Sequence, residues 1–179
     1  MKILKKILSI IVALVALLLV VSLFLPSKYH VERSLAMRAK PEAIIPFVVD
    51  LRLWPSWTAW NTERDPTLTF DYSGSRIGVG ATSSWNGKQS GTGTMTITSA
   101  DPRTGAKYDL NFEHGKYLSK GAITLEPAGD ATKVVWTDDG DLGWSPIGRY
   151  FGLLMDKYMG PDFEAGLQKL KQKVETKNN

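Results

Sequence analysis

Cysteine is absent from the 179 residues, which excludes disulfides, thiol chemistry, a cysteine metal site and an anchor built on a lipid-modified cysteine. Histidine is nearly absent too. His30 falls on the polar side of one strand-like stretch and His114 at the end of another, positions that read as solvated rather than catalytic. Acidic residues cluster in TDDGD, with Asp138, Asp139 and Asp141, but the spacing and the distal glutamate of a calcium loop are missing, so this reads as a solvated turn. The glycine pairs in GVG (78–80) and GTG (91–93) do not lead from a strand into a helix, so they read as bends in a curved sheet rather than phosphate loops. Excess charge is scarce as well. Taking Lys2, Lys5 and Lys6 away from the net charge of +4 leaves +1 for the rest, with no basic stripe for nucleic acid. No cofactor or metal is implied, and no catalytic set stands out.

One long apolar run is present. Residues 7–25 read ILSIIVALVALLLVVSLFL, without charge and with only Ser9 and Ser22 as polar interruptions. Nineteen residues in a helix span roughly 28 Å, close to the hydrocarbon thickness of a bilayer. The run has no polar face, which sets it apart from a helix packed in a globular core. A retained single-pass anchor over about 7–25, inside an N-terminal segment 1–27, is the expectation. A cleaved signal peptide and a soluble helix are the rival readings. The run exceeds an ordinary signal h-region, and Leu25, Pro26, Ser27 and Lys28 make a poor cleavage site. The three lysines before the run favour that end in the cytoplasm, which puts residues 28–179 on the extracytoplasmic side of the cell membrane. Lys28, Arg33, Arg38 and Lys40 after the run weaken this asymmetry.

The remaining length, about 150 residues, suits one domain with its own core. Tyr29, Val31, Leu35 and Met37 alternate with polar residues, Arg33 excepted, and predict a strand. KPEAIIPFVVD predicts a helix opened by Pro41 with Lys40 as a poor cap and Pro46 as a kink, and SWTAW a second short helical piece. Alternation then recurs through Leu68–Phe70–Tyr72, Ala81–Ser83–Trp85, Met95–Ile97, Tyr108–Leu110–Phe112, Ile123–Leu125 and Val134–Trp136, with turn residues between most of the pairs. After Ser145-Pro146 the period changes to three and four, through Ile147, Phe151, Leu154 and Tyr158 to Phe163, Leu167, Leu170 and Val174. This predicts one long amphipathic helix or two segments joined at Gly160.

That order of elements, carried by VERSLAMRAKPEAIIPFVVDLRLWPSWTAW, YSGSRIGVGATSSWNG, GTGTMTIT, VVWTDDGD and DFEAGLQKLK, resembles the SRPBCC (START/Bet v 1-like) superfamily, and within it the polyketide cyclase/dehydrase branch. The resemblance spans about residues 28–173. It implies an α+β helix-grip fold: an antiparallel sheet of about seven strands curled around a long C-terminal helix. Two short helices follow the first strand, and here one transmembrane helix precedes the whole. Between sheet and helix the resemblance implies a mainly apolar cavity.

Trp54, Trp57 and Trp60 lie three apart, so on a helical turn they share a face that must be covered. Trp54 reads as a structural plug and at least one of Trp57 and Trp60 as facing the cavity. The expected lining is Trp57, Trp60, Tyr72, Trp85, Tyr108, Phe112, Trp136, Phe151 and Met155, with Tyr72, Tyr108 and Ser83 as polar anchors, around a pocket of roughly 300–1,000 Å³. The expected function is a membrane-tethered domain that binds a hydrophobic small molecule or lipid without chemistry. One alternative is a cyclase or dehydratase using Asp50, Glu113 or a tyrosine as acid or base. The other is a protein-interaction module with a filled core. No protein partner is identified by the sequence.

Overall fold

The computed structural model describes residues 2–176, so the last three residues of the expected 28–179 domain lie outside the described residues. Helix α1 (Lys2–Ser22) carries the apolar run. It is the one helix among the described residues that is long and apolar enough to cross a membrane, and none of its hydrophobic window is buried against the rest of the chain.

Seven strands follow the alternation expected of them. They are β1 (Lys28–Met37), β2 (Thr69–Gly74), β3 (Ala81–Gly87), β4 (Gly91–Asp101), β5 (Gly105–Phe112), β6 (Tyr117–Ala128) and β7 (Ala131–Asp141). They form one antiparallel sheet in the order β1-β7-β6-β5-β4-β3-β2, so β2 to β7 are a meander and β1 closes onto its last strand. Between β1 and β2 run helix α2 (Pro41–Val49) and a 3₁₀ turn over Leu51–Ser56. Pro46 is accommodated within α2, and Lys40 provides no side-chain cap.

The C-terminal half differs from expectation at one joint. Helix α4 runs unbroken from Met155 to Thr176 through Gly160 and Pro161. The break comes earlier, at Leu153–Leu154, after a short helix α3 (Pro146–Gly152) capped by Ser145, whose Oγ accepts from Gly148 N–H at 3.0 Å. Gly160 and Gly166 set how closely α4 packs: a methyl at Gly160 would collide with the Arg33 guanidinium, and one at Gly166 would press on the Trp136 ring. Small residues there let the helix lie close against the sheet.

The core between α4 and the concave sheet face joins Val31, Met37, Ile97, Ile123, Val134 and Trp136 to Phe163, Leu167, Leu170 and Val174. Arg33, the residue that broke the alternation of β1, reaches toward α4 from the sheet edge. Its guanidinium donates to Asp156 and Glu164, each at 2.6 Å. The arginine thus clamps the helix from the same face that its apolar neighbours use.

Candidate functional site

A cavity of about 90 Å³ lies between the sheet, the 3₁₀ turn and the first half of α4. Its buried walls include Trp54, Tyr108, Leu110, Trp136 and Phe163, and its half-buried rim includes Pro55, Trp60, Phe70, Trp85, Phe112 and Met159. The void is smaller than the roughly 300–1,000 Å³ expected of a typical ligand pocket. An engineered void of about 150 Å³ takes up benzene, so the cavity suits a guest of a few carbons. A larger guest would have to extend through the rim.

Packing of aromatic rings against glycine explains why the space exists. Trp85 faces Gly93 across β3–β4, Tyr108 faces Gly121 across β5–β6, and Tyr29 faces Gly140 across β1–β7, each in direct register. A Cβ at any of these glycines would strike the opposite ring. The rings therefore lie along the sheet instead of standing into the interior, and the core keeps a hollow where upright side chains would have filled it.

Of the nine residues expected to line the site, Trp60, Trp85, Tyr108, Phe112 and Trp136 do so. Trp57, Tyr72, Phe151 and Met155 do not. Trp57 and Trp54 have exchanged the roles assigned to them. Trp57 is sealed in the core, its indole N–H donating to the Phe47 carbonyl at 3.2 Å, while Trp54 stands on the cavity wall with its N–H given to the Val48 carbonyl at 3.0 Å. The 3₁₀ turn causes the exchange. It covers Trp54 and stops at Ser56, so the three indoles do not share one helical face. They pack as an aromatic cluster instead, with Trp57 and Trp136 centroids 5.1 Å apart and Trp136 stacked on Phe163 at 4.1 Å.

Tyr72 has the inward parity on edge strand β2 but lies beyond the cavity, where the Arg52 guanidinium covers its ring at 5.0 Å; Phe70, two residues earlier, takes the lining position. Phe151 belongs to α3 and is 54% exposed. Met155 begins α4 one turn too early, and Met159 lines the cavity in its place. Among the expected polar anchors, Tyr108 and Ser83 line the wall.

The residue that sequence reading missed is Asp138. It lies in β7 rather than in a turn, is fully buried and forms part of the cavity wall. Tyr29 donates to one carboxylate oxygen at 3.0 Å and Ser119 to the other at 3.1 Å. Burial pushes its pKa up from an ordinary 3.8 to about 6, against the lowering effect of those two hydroxyl donors. Burial, reinforced by the Asp138 charge, also raises Tyr29 and Tyr108 well above the ordinary phenol range. Tyr108 in turn accepts the Trp136 indole N–H at 2.7 Å. The signal was available in the sequence: Asp138 shares the parity of Val134 and Trp136.

The two carboxylates first considered as acid or base do not line the cavity. Asp50 caps the 3₁₀ turn by accepting from Arg52 N–H at 3.0 Å, and Glu113 is exposed beside Lys116. Asp139 and Asp141 point outward. His30 is exposed and bonded to Asp139 at 2.7 Å, which raises its pKa. No group of three or more His, Cys, Asp or Glu side chains among the described residues could hold a metal ion.

Residues 28–175 match the sequence profile of the polyketide cyclase/dehydrase and lipid transport family. The chain belongs to that family. Within it the chain shares the SRPBCC, Bet v 1-like architecture with many solved structures. A hypothetical protein from Helicobacter pylori superposes with a TM-score of 0.61 at 8% identity, over 81% of this chain and 87% of its own. A protein from Rhodobacter sphaeroides gives 0.58 at 16%, over 83% and 93%. The protein Ara h 8.0201 gives 0.56 at 14%, over 83% and 99%. At such identities these likenesses concern the fold alone. No curated protein is similar enough in sequence to count as a relative. Family and fold together support a ligand-binding domain.

Proposed function

We propose that this chain is a membrane-tethered binding protein that holds a small hydrophobic molecule, or the end of a lipid, in the cavity between sheet and α4. The observation that carries this reading is the aromatic-walled void itself, in a fold whose family includes lipid transport. A filled-core interaction module offers no role for such a void, and of the acid or base groups named for the enzyme alternative only a tyrosine, Tyr108, lines the cavity, while Asp50 and Glu113 do not.

Helix α1 is the tether, and residues 28–176 form the binding domain. Two observations describe how the domain meets α1, and the second supports a bilayer around it. Its backbone end is held by the domain: Arg149 donates to the carbonyls of Ser22, Leu23 and Leu25 at 3.0–3.3 Å, and Tyr150 donates to the Leu18 carbonyl at 2.8 Å. A cation at a helix C-terminus also favours the dipole. Around that joint the surface is apolar and uncovered, with Phe24 84% and Trp144 83% exposed and Ile147, Phe151 and Leu154 beside them. Such a collar continues the apolar surface of α1 and is better covered by lipid than by water. The domain then sits directly on the membrane, on the extracytoplasmic side by the lysine count.

Native mass spectrometry of the full chain released from lipid nanodiscs, after exposure to a lipid and small-metabolite panel, tests the binding reading. A retained apolar guest is expected. Empty protein across the whole panel contradicts it.

A further inference from the structure

We infer that the cavity takes a protonated amine, with the ammonium at Asp138 and the apolar part against the indoles. The inference rests on the binding function proposed above and specifies the class of guest.

Three features of the wall converge on a cation. The first is a buried carboxylate without a cationic partner: no Lys, Arg or His nitrogen lies within 4 Å of Asp138 among the described residues, and its two neighbours are neutral hydroxyls. A carboxylate offers about four lone-pair positions and two are taken, so acceptor capacity is left over. The second is the ring-lined wall, in which Trp54, Trp60, Tyr108 and Trp136 present π systems that attract a cation, most of all when water is excluded. The third is that the cost of stripping water from the carboxylate is already borne by the folded chain, so an arriving ammonium adds only its own desolvation. A neutral hydroxyl head satisfies the hydrogen bond but leaves the buried charge uncompensated. An ammonium satisfies both.

The titratable groups around Asp138 are Tyr29 and His30 on β1, Tyr108 on β5 and Asp139 on its own strand. The two tyrosines stay neutral throughout the working range. His30 and Asp139 form a pair on the outer face, and the variant below isolates the effect of Asp138 from theirs.

The test titrates the full chain in nanodiscs with isobutylamine and with isobutanol, which share a carbon skeleton, at pH 8 and at pH 4.5. Indole N–H shifts of the cavity tryptophans report binding. At pH 8 the amine should bind at least roughly tenfold tighter than the alcohol, because both donate to the carboxylate and only the amine brings the compensating charge. The ratio should collapse toward one at pH 4.5, below the carboxylate's pKa of about 6. In Asp138→Asn it should stay near one at both pH values. Equal affinities at pH 8, or an amine preference that survives Asp138→Asn, overturns the inference and leaves the apolar cavity reading intact. Failure of both probes to bind overturns the two together. Should Asp138→Asn fail to fold, the pH dependence of the unmodified chain decides alone.

Discussion

Replacing Asp138 by asparagine removes a buried charge while keeping the side chain's size and its place between Tyr29 and Ser119. Both hydroxyls can rotate to serve an amide, one donating to its oxygen and the other accepting from its nitrogen. A carboxylate pKa raised from 3.8 to about 6 in the folded chain means that folding resists ionisation of this group. Well below the ordinary value of 3.8 the group is protonated in both folded and unfolded chains and costs nothing. As pH rises from 4 to 6 the unfolded chain ionises first, stability is lost, and above the folded value the loss levels off at roughly 3 kcal/mol. The variant should therefore come close to the parent near pH 4 and exceed it by about 3 kcal/mol at pH 8. For a domain of this size that is a rise of roughly 6–12 °C in Tm. Thermal unfolding of both proteins across pH 4–8 measures it, and titrating groups remote from Asp138 cancel in the difference. A gap that is the same at pH 4 and pH 8, or an asparagine variant less stable at pH 8, refutes the claim that Asp138 is a buried and uncompensated charge.

Gly121→Ala should push the Tyr108 ring off the sheet, break its hydrogen bond from Trp136 and shrink the cavity; overpacking of this kind costs about 1–3 kcal/mol. Denaturant unfolding and loss of guest binding check it, and unchanged binding would show that the ring's position does not create the space. Asp65, held by Thr67 and by the backbone N–H groups of Gln89 and Ser90, has its pKa lowered chiefly by the Thr67 hydroxyl. Its contribution is complete above the unfolded value near pH 4 and vanishes as pH falls further, so Asp65→Asn should flatten the acid limb of the stability curve, read by unfolding between pH 2 and pH 5. In vesicles with bromine-labelled lipids, quenching of tryptophan emission should fall sharply in Trp144→Phe, because Trp144 is the exposed indole of the collar; unaltered quenching would place the collar away from lipid. The lack of native cysteine makes a single Lys107→Cys informative. A membrane-impermeant maleimide should label it in intact cells, and labelling only after lysis would reverse the orientation.

The seven strands were legible because alternation survives wherever one face of a sheet is buried, as Tyr108, Leu110 and Phe112 show on β5. Parity also marks which side chains point inward, and it holds at Trp85, Tyr108, Phe112 and Trp136. Position along the element is what parity leaves open. Phe70 and Tyr72 have the same parity on β2, yet only one reaches the void; Met155 and Met159 are one turn apart on α4 with the same outcome. The exchange between Trp54 and Trp57 has a different origin, since a 3₁₀ turn that ends at Ser56 cannot be told by spacing from an α-helix through Trp60. Asp138 was hidden by its neighbours. Three acidic residues in five suggest a solvated turn, and nothing local reveals that Tyr29 and Ser119, 109 and 19 positions away, supply its donors.

The central claim is an apolar hollow open to a guest, and the indole N–H spectrum of the full chain in nanodiscs reads it directly. On titration with a small apolar compound such as isobutanol, the signals of Trp54, Trp60, Trp85 and Trp136 should move together and saturate, while the exposed Trp144 responds only in proportion to what dissolves in the lipid. Movement confined to Trp144, without saturation, would mean that the compound enters the bilayer alone and that the interior of the domain admits nothing.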